Sequence, residues 1–218
     1  MLKRLVVTFL AAAALLTGIL LSAAPLLLLR SQVDAPTMLM MFCLWIAAAL
    51  GIGLVLLNKM LKSIWFFRGT GEPVPLDQLR QKLLAVNAMA CPVSVLEKRR
   101  TLIFTWRYHD KRWCELLSRL GIRHLYELRC FFDADTRTVL LVDRSRTVDF
   151  LICPERVKTG RPCLPLPLLT VPTKQPTTID WYDTVAEYEY HVHRREIKVP
   201  VLGTILANGW HARLCLWR

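Results

Sequence analysis

Apolar residues fill the first part of the chain almost without a break. Leu5 to Leu29 is interrupted only by Thr8, Thr17, Gly18, Ser22 and Pro25, and Met38 to Leu57 is apolar again after a short polar stretch, Arg30 to Thr37. A bilayer core about 30 Å thick is crossed by about 20 apolar residues of helix, and both runs are long enough. In hydrocarbon an isolated segment must satisfy its own backbone, so helix is the form expected. The pattern predicts a transmembrane hairpin joined by a tight turn. Asn58 to Phe67 is expected to continue the second helix out of the bilayer. Lys59, Lys62 and Arg68 then suit the phosphate level, and Trp65, Phe66 and Phe67 suit the interface that aromatic rings favour. Packing of these rings on the following domain is the alternative.

Beyond the hairpin the pattern changes. Gly69, Gly71, Pro73 and Pro75 predict a linker over residues 69–75. Leu76, Leu79, Leu83 and Val86 recur at helical spacing, with Asp77 as the expected N-cap. Strict alternation then predicts strands at Thr101 to Tyr108, with Leu102, Phe104, Trp106 and Tyr108 on one face, and at Leu125 to Phe132, with Tyr126, Leu128, Cys130 and Phe132 opposite Glu127 and Arg129. Between them Asp110 should cap a short helix, Lys111 to Leu120, closed by Gly121. Asp133 to Thr136 reads as a turn of short polar side chains. Thr138 to Val142 is apolar on both faces, as in a central strand. Asp143 to Arg146 reads as another turn, followed by a strand at Thr147 to Ile152.

Cys153 to Pro176 holds six prolines and is expected to be extended irregular chain wrapped on the domain. Val185 to His193 alternates again as a strand. Pro200 should open a helix, Val201 to Ala207, that Asn208 and Gly209 end. Trp210 to Leu216 alternates last. The expected architecture is α+β: a two-helix transmembrane hairpin over residues 1–68, a linker at 69–75, and a mainly antiparallel sheet domain with short helices over 76–218. No internal repeat is visible.

Charge gives this architecture a direction. Lys3 and Arg4 precede the first apolar run, Lys59, Lys62 and Arg68 follow the second, and the turn sets Arg30 against Asp34. Positive residues near span ends stay in the cytoplasm. The expectation is a two-pass inner (plasma) membrane protein with both termini cytoplasmic. Met1 to Ala24 also has the layout of a cleaved signal peptide, although the apolar run continues past Ala24 and Pro25 would follow the cut. Seven cysteines, an odd number without a repeated spacing, read as reduced thiols rather than a disulfide framework.

The whole chain carries a net charge of +12, and from Asn58 onward 26 Lys and Arg face 16 Asp and Glu. The clusters Lys98-Arg99-Arg100, Lys111-Arg112, Arg144-Ser145-Arg146 and Arg194-Arg195 form a candidate basic surface. Anionic lipid would attract such residues, as would nucleic acid; an ordinary solvated surface is the plain alternative. Lipid is favoured over nucleic acid because a tethered domain is already held beside a bilayer, and no ribonucleoprotein-type aromatic signature is present.

Specific chemistry is thin. The chain has neither standard phosphate-binding glycine loop and no Gly-x-Ser-x-Gly elbow. His109, Cys114, His124 and Cys130 crowd one region, and His191 and His193 share a strand face. No Cys-x-x-Cys or His-Glu-x-x-His spacing accompanies them, so no metal and no cofactor is expected. Cys91, Cys153 or Cys163 could act as a nucleophile with His109, His124 or His191 as base, yet thiols without a signature are usually structural. The expectation is an accessory or scaffold subunit that acts by binding a partner protein, and anionic headgroups as well. Its small-residue runs, Ala11 to Ala14 and Gly51 with Gly53, allow close helix packing and leave room for a homo-oligomer. The alternatives are a membrane-bound enzyme with a Cys/His site and a membrane-tethered nucleic-acid-binding protein.

Overall fold

The computed structural model describes residues 2–29, 33–163, 177–186 and 189–217. The expected turn charge Arg30, the stretch 164–176 and residues Glu187 and Tyr188 lie outside these. The chain divides into two compact units, Met1–Trp65 and Phe66–Arg218.

The first unit is helical. Helix α1 spans Leu2–Leu21, α2 Ala24–Leu28 and α3 Ala35–Ile64. Pro25, in the first turn of α2, separates α2 from α1. Asp34 caps α3 by accepting from the Thr37 backbone N–H. Two stretches, Lys3–Leu28 and Ala35–Ile64, are long and apolar enough to cross a membrane, with mean hydropathies of 2.4 and 2.5. Helices α1 and α3 pack together. A Cβ on Gly53 would come within 3.1 Å of Ile19 Cδ1, so this glycine permits the approach, while Gly51 meets nothing within 4 Å. Trp45 Nε1 donates to Ser22 Oγ across the pair at 3.1 Å.

The second unit is α+β. Its strands are β1 (Phe66–Phe67), β2 (Val93–Lys98), β3 (Thr101–Trp106), β4 (His124–Asp133), β5 (Thr138–Ile152), β6 (Arg156–Cys163) and β7 (His211–Cys215). They form one sheet in the order β1-β7-β5-β4-β3-β2, with β6 also on β5. Every pairing is antiparallel except β5 with β7. Its helices are α4 (Leu76–Leu84), α5 (Lys111–Arg119) and α6 (Arg194–Ala207).

Paired residues share a face of a sheet, so the register identifies the core. Val95, Phe104, Leu128 and Asp143 form one row across four strands, all buried. The adjacent row, Leu96, Ile103, Arg129 and Val142, belongs to the other face, where Leu96 is exposed and Ile103 and Arg129 half-buried. Helix α6 lies on the Asp143 face, because Lys198 donates to Asp143 Oδ2 at 2.6 Å.

Several expectations hold. Asp110 caps α5 by accepting from the Arg112 N–H, and Gly121 and Gly209 take φ of +63° and +71° just beyond α5 and α6. Others are corrected. Asp143 to Arg146 is no turn: β5 runs through it for 15 residues. The polar residues there belong to a strand whose two faces both carry charge. Asp143 and Ser145 turn towards α6, while Arg144 and Arg146 turn away. Residues 156–163 are not irregular chain but strand β6, and Pro162 sits in it opposite Arg146, near a bulge. Strand β2, masked by the prolines and charges around it, had no expectation at all.

Among the described residues of Val185 to His193 no strand forms. Glu196 instead bonds this segment to the start of α6, accepting from the N–H groups of His191 at 3.0 Å and His193 at 3.3 Å. Helix α6 therefore begins six residues before Pro200, which lies inside it. Proline cannot donate to the Glu196 carbonyl, and the Tyr182 hydroxyl does so at 2.7 Å. Asp77 lies in the first turn of α4, with Pro75 at the cap.

Residues 69–75 are hydrogen-bonded along the α6–β7 turn. Gly69 N–H donates to His211 Nδ1, Thr70 and Gly71 N–H donate to the Leu206 carbonyl, and Val74 N–H donates to that of Asn208.

Candidate functional site

The interface residues expected after α3 fall in different environments. Lys59 and Lys62 belong to α3, whereas Trp65 is fully buried and its indole N–H donates to Thr8 Oγ1 at 3.2 Å. Phe66 and Phe67 pair with β7 as an edge strand, and the Arg213 guanidinium lies 4.8 Å from the Phe66 ring centre. Arg68 follows β1 directly.

The expected basic clusters separate by face. In β4 and β5 the register pairs Glu127 with Arg144, Arg129 with Val142 and Leu125 with Arg146. Glu127, Arg129, Arg144 and Arg146 therefore stand on one face, opposite to that of Asp143. Glu127 pairs with Arg129 at 3.1 Å and also with Arg146. Two guanidinium groups thus share the Glu127 carboxylate, with Arg144 opposite it in register. The Nε atoms of Arg129 and Arg144 are buried and have no hydrogen-bond acceptor among the described residues. Buried donors left in that condition cost free energy, so such groups are commonly paired with something.

At one end of this face the β2–β3 hairpin brings in Lys98, Arg99 and Arg100. With Arg129, Thr101, Ile103 and Phe131 they line a groove of about 550 Å³. No carboxylate is among its described lining residues. Arg99 has a φ of +57°, the left-handed region that glycine or asparagine usually fills in a hairpin. Arg213 lies on the same face, since the row Lys98, Thr101, Phe131, Leu140, Arg213 and Phe66 crosses the sheet. Sequence reasoning named the hairpin cluster, Arg144 and Arg146 but missed Arg129 and Arg213. Arg129 could have been found, because its alternation with the apolar positions of β4 already placed it outward.

Arg194 and Arg195 lie elsewhere, in the first turn of α6. They line a hollow of about 360 Å³ with Trp106, His124, Tyr126, Val192 and His193. The Glu196 carboxylate accepts from the N–H groups of His191 and His193, which lead into this helix. Lys111 and Arg112 open α5, with Arg112 stacked 5.2 Å from the Trp113 ring centre.

Beneath the sheet lies a buried polar trio. Asp143 accepts from Lys198 Nζ and from the Tyr126 hydroxyl, each at 2.6 Å, and Lys198 and Asp143 side chains are 0% and 3% exposed. Burial and the Asp143 carboxylate push the Tyr126 phenol well up. Asp143, expected in a turn, is thus a core residue.

The cysteines also depart from expectation. Cys114 of α5 and Cys153, just after β5, form a disulfide. Cys91 and Cys130 are free and buried, and burial raises both thiols above their ordinary range. A raised thiol is less ionised at neutral pH and a poorer nucleophile. The histidines and cysteines considered for metal are not brought together: among the described residues no three His, Cys, Asp or Glu side chains gather. No family model, curated protein or solved structure matches the chain.

Proposed function

We propose that the protein is a two-pass membrane protein with both termini in the cytoplasm, and that its sheet domain serves as an accessory or scaffold subunit by binding. The observation that carries the reading is the arginine-rich sheet face, where Arg129 and Arg146 share Glu127, Arg144 stands beside it in register, and the Nε donors of Arg129 and Arg144 have no acceptor among the described residues. Arginine's planar fork suits carboxylate and phosphate on a partner. The orientation rests on Lys3, Arg4, Lys59, Lys62 and Arg68 flanking the two apolar stretches.

The Cys114–Cys153 disulfide weighs the other way, since stable disulfides favour oxidising compartments. With a cytoplasmic domain, the pair would close only when oxidant reaches it. Trypsin added to intact spheroplasts should leave residues 66–218 whole; digestion of that unit would reverse the orientation.

The binding role is tested by purifying the full chain in mild detergent and identifying what accompanies it. A stoichiometric partner is expected, and Arg144→Glu with Arg146→Glu should release it. An isolated monomer, or a partner held equally by the double variant, overturns the role.

A further inference from the structure

We propose that the groove at the β2–β3 hairpin is a binding site for the phosphate headgroup of an anionic membrane lipid, an inference that rests on the membrane reading above. Lys98, Arg99, Arg100 and Arg129 supply four cations to a groove of about 550 Å³ whose described lining residues include no carboxylate. Lone surface cations need no ligand, but this set has two further features. The Arg129 Nε is buried without an acceptor among the described residues, while its Nη2 is committed to Glu127. The guanidinium is thereby held in place with a donor unused. Arg99 holds a backbone conformation in which glycine would be easier, so the hairpin keeps a charged side chain where the fold alone would favour none. Half-buried Phe131 and Ile103 form an apolar wall beside the cations. A phosphate with an attached glycerol and acyl root matches that mixture better than a free ion, which has no use for the wall.

Connectivity selects lipid over a soluble polyanion. In sequence, one residue, Trp65, separates the end of α3 from the unit Phe66–Arg218. A domain of about 150 residues has a radius of gyration near 15 Å, so if α3 spans a bilayer the domain is confined to within a few tens of ångström of headgroups. Tethering of this kind raises effective concentration without any new contact.

The test uses the full-length chain purified in detergent. Bound lipid is counted by native mass spectrometry during titration with phosphatidylglycerol or phosphatidylcholine. The paired variant Arg99→Gly, Arg100→Gln removes two cations and relieves the hairpin. A thermal melt at or above that of the unmodified chain would show that its fold is kept. Arg119→Gln, on an exposed residue of α5, serves as the charge-loss control.

The expected result is preferential retention of phosphatidylglycerol, weakened about tenfold in the hairpin variant and unchanged in Arg119→Gln. Equal retention of both lipids, or equal loss in both variants, overturns the headgroup site. Displacement by inorganic phosphate as effective as by glycerophosphoglycerol reassigns the groove to a free anion. Salt-dependent capture of single-stranded DNA, lost in the hairpin variant, reassigns it to nucleic acid. Alkaline carbonate extraction of native membranes separates the two levels: release of the chain removes the membrane reading itself, whereas retention with no lipid preference removes only the headgroup site.

Discussion

Asp143 shows how one side chain's role depends on the register around it. Its neighbours Arg144, Ser145 and Arg146 have turn chemistry, and nothing local reveals that position 143 meets a lysine 55 residues away. Removing one partner of a buried pair costs about 3 to 5 kcal/mol, because the other charge is left uncompensated. Asp143→Asn and Lys198→Met alone should each lower the thermal midpoint by on the order of 10 °C. The double variant should recover most of that loss; an additive loss would show that the charges do not interact. Cys91 and Cys130 make a second prediction at this scale. Their thiols are pushed up by burial, so less thiolate is present at neutral pH. A thiol reagent should spare both in the native protein and label both after unfolding, as read by peptide mass. Rapid native labelling of either would revive the enzyme alternative.

Among the elements, the strands with clean alternation were the legible ones. Strands β3, β4 and β7 announce a core face through Leu102, Phe104, Leu128, Cys130, Ala212 and Leu214, all buried. Helix α5 was legible through its cap and closing glycine. What failed was wherever tertiary contacts outvote local chemistry. Strand β5 keeps charges on both faces because each face finds partners: Lys198 on one side and Glu127 on the other. Helix α6 passes through Pro200 because Tyr182 supplies the missing donor to the Glu196 carbonyl. Tyr182→Phe should therefore cost about 1 kcal/mol. It should cost less in a Pro200→Ala background, where the residue 200 amide serves the same carbonyl, and a denaturant double-mutant cycle measures the difference. The candidate site was legible only as clusters of charge. Their division between two faces depends on pairings such as Glu127 with Arg144, and register is set by the whole sheet.

For the whole molecule, the disulfide and the glycine contacts set the balance of the sheet unit. Cys114 and Cys153 are 39 residues apart, and closing a loop of that size removes about 4 kcal/mol of unfolded-chain entropy in the simplest treatment. Cys114→Ser should abolish the mobility difference between reduced and non-reduced gels and lower the thermal midpoint. A wild-type chain with no such difference in isolated membranes would mean that the thiols stay reduced there. A Cβ on Gly71 would fall 1.7 Å from the Ala207 carbonyl oxygen. Gly71→Ala should therefore loosen segment 69–75 from the α6–β7 turn, and hydrogen exchange at the Thr70 and Val74 amides reports it.

The attachment of segment 66–74 also governs how the protein bears load. A pull on the chain at residue 66 loads β1, which pairs with β7 at Phe66 and Phe67, and then reaches the amide bonds of Gly69, Thr70, Gly71 and Val74. These would peel one after another, so such a pull would be absorbed at the sheet's margin before it disturbed the arginine-bearing strands β4 and β5.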